Sequence, residues 1–171
     1  YRSETEKLLF SLPLAGSAFR KIYFDHSLGR PASMFVPAED FVVAYHESGL
    51  DQAERYTHIM NRSTNQVRKL QVSGFYRDIE LQTSHVEDNP ITEKYNEIGG
   101  VSPSWEDNER HQLLEIHCVL DLPGFEDEDG VALPYVITID KASAEVLSIY
   151  RNWAEEDPHR IKKQHFVHYG Y

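Results

Sequence analysis

Nine histidines and a single cysteine carry most of this chain's potential for metal or nucleophile chemistry. His165 and His168 stand three apart in QHFVHYGY, a spacing that shares one face on a helix. The alternation around them is that of a strand, which sends them to opposite faces. His111 and His117 share a strand face, but six residues of strand rise separate them by about 20 Å. Neither pair chelates an ion alone, and neither HExxH nor a paired-cysteine spacing occurs. Scattered surface or half-buried histidines, with no metal and no cofactor, are the expected reading. Cys118 follows His117 in mid-strand, so the two face opposite ways and make no Cys–His dyad. A buried structural thiol is expected there.

Ser17 in AGSAF lacks the G-x-S-x-G elbow of a serine hydrolase. No Walker loop and no G-x-G-x-x-G is present, and Gly99-Gly100 reads as a helix stop. The run Glu126, Asp127, Glu128, Asp129, Gly130 resembles part of a calcium loop. With Gly130 at the glycine position, Phe125 and Val136 fall where carboxylates are required, and the match fails. An exposed acidic turn is expected, with a rim contact for a basic partner as its functional reading. Arg160, Lys162 and Lys163 cluster before the last strand, with His159 and His165 nearby, and read as a solvated face able to meet an acidic neighbour. Those four acidic and three basic residues are the candidate partner contacts.

The elements that must position these residues belong to a chain of 171 residues with 17 basic and 28 acidic side chains, a net charge of −11. That length implies one domain, or one domain with a poorly packed arm. The charge argues against gripping nucleic acid, because phosphates are held mainly by Lys and Arg. It argues equally against an anionic membrane surface, and no apolar run reaches the roughly 18 residues of a membrane span. The chain opens at Tyr1 and closes on HFVHYGY, and both ends read as cut from a longer polypeptide.

Ser3 and Glu6 have capping-box spacing for a short helix over 3–12 that ends before Pro13. The run LPLAGSAF reads as a buried turn or extended segment. Residues 18–25 read as a strand with aromatic bulk on both sides, covered on both faces. A turn carrying Gly29 follows, and then two strand pieces over 33–45, split by Pro37, Glu39 and Asp40. Residues 54–62 form a strand with Tyr56, His58 and Met60 on one side. Residues 63–74 form the clearest helix, with a Ser63–Gln66 capping box, Val67 and Leu70 on one face, and Gly74 as its stop. Residues 76–92 read as a loop or arm, 92–100 as a short helix and 103–110 as a loop. Residues 110–122 make a long strand. Residues 131–140 and 144–153 make a hairpin around Lys141-Ala142-Ser143, although the usual turn glycine is missing. The charged connection 155–163 leads to a last strand over 164–171. The sum is an α+β fold, mainly antiparallel strands and hairpins with short inserted helices.

FSLPLAGSAFRKIYFD (10–25), FVPAEDFVVAY (35–45), VRKLQVSGFYRD (67–78), LPYVITIDKASAEVLSIYRNW (133–153) and KKQHFVHYGY (162–171) resemble successive stretches of the portal proteins of short-tailed bacteriophages. They fall in family order and span nearly the whole chain, while 79–110 and 123–130 show no such likeness. The resemblance implies a fragment of the wing region of a portal subunit, one member of a dodecameric ring at a capsid vertex. Its partners would be other portal subunits and, through the full-length protein, capsid, scaffold, terminase and tail proteins. Genomic DNA would pass through the ring without specific contact with this piece. The implied location is the virion, after assembly in the bacterial cytoplasm. The family offers no catalytic residues to carry over. The alternatives are a metal-assisted hydrolase built from distant histidines and carboxylates, or a generic protein-binding module.

Overall fold

Residues 2–25, 29–47, 49–81, 110–125, 127 and 130–170 are described by a computed structural model. The expected helix over 92–100, the loop over 103–109 and most of the expected arm lie outside these residues. Two compact units divide the chain. One comprises Tyr1–Ile59, Glu115–Ile137 and Tyr150–Tyr171, and the other comprises Met60–Leu114 and Thr138–Ile149. The fold is α+β and mainly strands, as its alternating apolar patterns imply.

Helix α1 spans Arg2–Ala15 and holds Pro13 within its last turn. The expected stop before Pro13 is therefore overrun. A proline so near the helix end removes one hydrogen bond, and Gly16 N–H closes the turn on Leu12 O at 2.9 Å. Ser3 lies inside this helix instead of capping it. Exposed pairs Arg2–Glu6 and Lys7–Glu4 add a few tenths of a kcal/mol each at most. Only Leu8 is buried on α1, while Leu9, Phe10 and Leu14 are 62%, 67% and 64% exposed. The run LPLAGSAF is thus the exposed end of a helix and the start of a strand, not a buried turn.

Strand β1 (Ser17–Asp25) pairs antiparallel with β2 (Arg30–Pro37) and with β8 (Phe166–Gly170), in the order β2-β1-β8. Gly29, at φ 61°, supplies the left-handed residue the β1–β2 turn requires. Phe19 lies opposite Val36 and His168, and Lys21 opposite Met34 and Phe166, so these side chains share one face. On the other face Ala18 is 0% exposed while Ile22 and Phe24 are 45% and 52% exposed, so the expected cover on both sides holds at the start of the strand and fails toward its end. Thr5 on α1 accepts from Arg20 at 2.8 Å, and Glu4 accepts the Phe35 N–H of edge strand β2 at 2.7 Å.

A second sheet has the order β3-β4-β5-β6-β7, formed by Phe41–Val43, Arg55–Ser63, Arg110–Leu120, Leu133–Asp140 and Val146–Arg151. A single 3₁₀ turn, Ala38–Asp40, separates β2 from β3, where Pro37 and the acidic pair predict a break. Helix α2 (Thr64–Val72) follows β4 directly. Ser63 and Gln66 make both bonds of the predicted capping box, and Gly74 adopts φ 76° beyond the helix. In the β6–β7 turn Asp140 does part of what a glycine would. Its carboxylate accepts from Ser143 N and Oγ, while Ala144 takes φ 57°.

The first unit packs Phe19, Val36, Phe41, Ala53, Tyr56 and Phe166, with Phe19 stacked on Phe41 at 4.0 Å. The second packs Met60, Val67, Tyr76, Leu113 and Leu147. Residues 77–81 have irregular backbone but are tethered. Gln71 Nε2 donates to Arg77 O and Ile79 O, and Arg77 N–H to Leu147 O.

Tyr56 is 1% exposed, and its hydroxyl has no hydrogen-bond partner among the described residues. Burial, with the Glu115 charge behind it, pushes its phenol well above the ordinary tyrosine range. Deleting an unsatisfied buried hydroxyl removes a desolvation cost of about 1–3 kcal/mol. Tyr56→Phe is therefore expected to leave the urea midpoint unchanged or raise it. A clear fall in that midpoint would reveal a partner for the hydroxyl.

Candidate functional site

The acidic and basic candidates meet at one point. Arg160 Nη1 is paired with Asp127, and the Asp127 side chain is 14% exposed. Glu126, Glu128 and Asp129 lie outside the described residues. Lys162 is not a solvated cation. Its ammonium donates to Leu50 O and Ala53 O at 3.2 and 2.8 Å and sits 5.5 Å over the Tyr56 ring. Burial pushes Lys162 down, and Asp51 and Glu47 oppose that. Lys163 is exposed, with its backbone N–H on Asn152 O. The reading of this cluster as a solvated face thus holds for Lys163 and the neighbouring His159, both exposed, and not for Arg160 or Lys162. Arg160 and Lys162 serve the first unit's own structure.

The densest polar chemistry of the first unit was not among the sequence candidates. Lys21 on β1 donates to Glu115 Oε2 on β5 at 2.5 Å, with side chains 12% and 13% exposed. His117, two residues on and 2% exposed, donates from Nε2 to the other oxygen of Glu115 at 3.0 Å. Burial pushes the Glu115 carboxyl up, but the Lys21 charge and the His117 and Lys21 hydrogen bonds prevail. They hold it well below the usual carboxylate range. His117 stacks on Tyr56 at 4.8 Å and lies 5.3 Å from the His165 ring. His165 in turn is hydrogen-bonded to Asn152 Oδ1 at 2.8 Å. A sequence signal for this cluster existed. Lys21 alternates in phase with the inward Phe19 and Tyr23, and a charge on a core-facing position needs a buried partner.

The histidines are more buried than expected. His58, His111 and His117 are 3%, 2% and 2% exposed. In the second unit His111 Nε2 and Thr64 Oγ1 are 3.4 Å apart, and His111 Nδ1 lies 3.9 Å from Asp140. An open groove of about 300 Å³ beside them is lined by Val67, Arg68, Gln71, Asp78, Ile79 and others. Its one arginine is already paired with Asp78. Among the described residues no three His, Cys, Asp or Glu side chains are placed to hold a metal ion. Cys118 is buried, as expected, and burial raises its thiol pKa against the opposing charge of Arg55, which leaves it a poor nucleophile.

One pair that the chain separates by 151 residues comes together at the surface. Ser17 Oγ and His168 Nε2 are hydrogen-bonded at 2.9 Å, and the imidazole stacks on Phe19 at 4.8 Å. Among the described residues no carboxylate hydrogen-bonds His168, so these residues supply no third member of a catalytic triad. His165 and His168 do serve separate sites, in keeping with their strand-like spacing.

No helix of the described chain is long and apolar enough to cross a membrane. No protein-family model matches the chain, and no curated protein matches it significantly.

Proposed function

We propose that this chain is a structural piece of a phage portal ring, from the wing region, with no chemistry of its own. The observation that carries the reading is the ordered set of portal-like stretches. They coincide with α1–β1, β2–β3, α2 and its following turn, the β6–β7 hairpin and the approach to β8. Such stretches supply core residues to both units, among them Phe19, Val36, Val67, Leu147 and Phe166. The exposed Leu9, Phe10 and Leu14 of α1 suit a chain that neighbouring protein covers in an assembly. In this reading its direct partners are other portal subunits. Capsid, scaffold, terminase and tail proteins engage the rest of the subunit, and DNA passes through the ring.

Negative-stain imaging of the polypeptide that carries these 171 residues tests the proposal. Closed rings with a central hole are the expected result. A compact monomer or dimer, unchanged over a range of salt and concentration, would refute it.

A further inference from the structure

We propose that the buried His117 and the half-buried His165 beside it form an acid-sensitive latch that keeps the first unit closed while both rings are neutral and lets it open locally when they take up protons.

The geometry leaves little room for added charge. His117 lies between Tyr56 of β4, the edge of Phe166 of β8 and the ring of His165, at centroid distances of 4.8, 5.4 and 5.3 Å. Its Nε2 already donates to Glu115, so an incoming proton must settle on Nδ1. That atom is buried and has no hydrogen-bond partner among the described residues. His165 differs, because its ring also meets the Ile22 backbone, which favours the charged form. Asn152 Nδ2 donates to Lys163 O, which fixes Asn152 Oδ1 as an acceptor and His165 Nε2 as a donor.

Burial opposes protonation, and the surrounding charges are divided. β1 brings the Lys21 ammonium, β5 brings the Glu115 carboxylate, and the segment before β8 brings Lys162 and His165. Tyr56 and Phe166 are neutral. One carboxylate therefore faces two ammoniums, and each protonated imidazole adds a cation with no new anion. Burial pushes His117 below the ordinary imidazole range, with Lys21 and Lys162 adding to the fall and Glu115 opposing it. Burial and the His117 charge push His165 the same way, against Glu115 and the Ile22 backbone. A depressed imidazole means that the folded unit binds fewer protons than the unfolded one. Stability is full above the ordinary histidine value of about 6.5 and is lost as pH falls from there toward the folded value. Asp40, raised to about 6 by burial and then by Glu39, has the opposite sign and favours the folded unit on acidification. An Asp40→Asn background removes that compensation.

The test uses the 171-residue chain. The imidazole resonances of His117 and His165 are followed by NMR from pH 8 to 5, with amide exchange of Tyr56, Glu115 and Phe166 corrected for intrinsic rates. Both rings are expected to stay neutral below pH 6, and exchange at the three amides to rise tenfold or more between pH 7 and 5. His117→Phe, which keeps a ring against Tyr56, is expected to abolish most of that rise, while His159→Gln at the surface leaves it intact. An ordinary titration of His117, or an undiminished rise in His117→Phe, overturns the latch. If His117→Phe does not fold, the wild-type titration and exchange decide alone.

Discussion

Glu115→Gln is expected to destabilise the protein by about 3–5 kcal/mol, because it leaves a buried ammonium without its counter-charge. Lys21 is 12% exposed on its side chain and donates at 2.5 Å to that carboxylate. Water cannot replace the lost anion at such a site, and the neutral amide offers a far weaker acceptor. The same substitution takes a charged acceptor from His117. Removing both charges, as in Lys21→Met with Glu115→Leu, is expected to recover part of the loss. Buried ion pairs are often replaceable by apolar residues, and the recovery stops short because His117 Nε2–H is left unsatisfied. Urea unfolding of the two single variants and the double variant measures the coupling. Losses below 1 kcal/mol for Glu115→Gln would mean that solvent reaches Lys21. The folded carboxyl lies below its unfolded value, so the contribution is present above about pH 4.3 and is lost as pH falls through the folded value.

Leu113→Ala is expected to cost about 2–5 kcal/mol by opening a cavity in the second unit. Leu113 is 0% exposed and belongs to a small cluster with Met60, Val67, Tyr76 and Leu147. With so few large side chains the cluster has little slack to collapse into the void. The urea midpoint is expected to fall with an unchanged slope. Val72→Ala on α2, 74% exposed, is the control and should change it little. Equal effects from both would place Leu113 outside the core.

The two variants probe features of different legibility. The place of Leu113 follows from alternation in RHQLLEIHCVL, where His111, Leu113 and His117 are buried, although the pattern breaks at Cys118, which is buried, and Val119, which is exposed. The Glu115–Lys21 pair does not follow from alternation, because its partners lie 94 residues apart. Phe19, Tyr56, His58 and Met60 are likewise placed by period-two patterning, and Ser63 with Gln66 by capping chemistry. Local rules failed at Pro13, where the last turn tolerates a proline, and at Ile22 and Phe24, where apolar residues stay exposed. They also failed for Arg160 and Lys162, whose partners come from residue 127 and from 50 and 53.

By itself the sequence determined most of the element types, inward residues such as Phe19, Tyr56, Met60 and Leu113, and the absence of any familiar catalytic signature. These are matters of neighbouring residues, since backbone geometry repeats every two or 3.6 positions. Only the tertiary structure decided the partners. It set Lys21 on Glu115, His165 beside His117, Ser17 on His168, and Lys162 on two backbone carbonyls. Strand pairing across long loops brings such groups together, and burial then fixes which of them carry charge, because a dry interior tolerates only the charges it can pair.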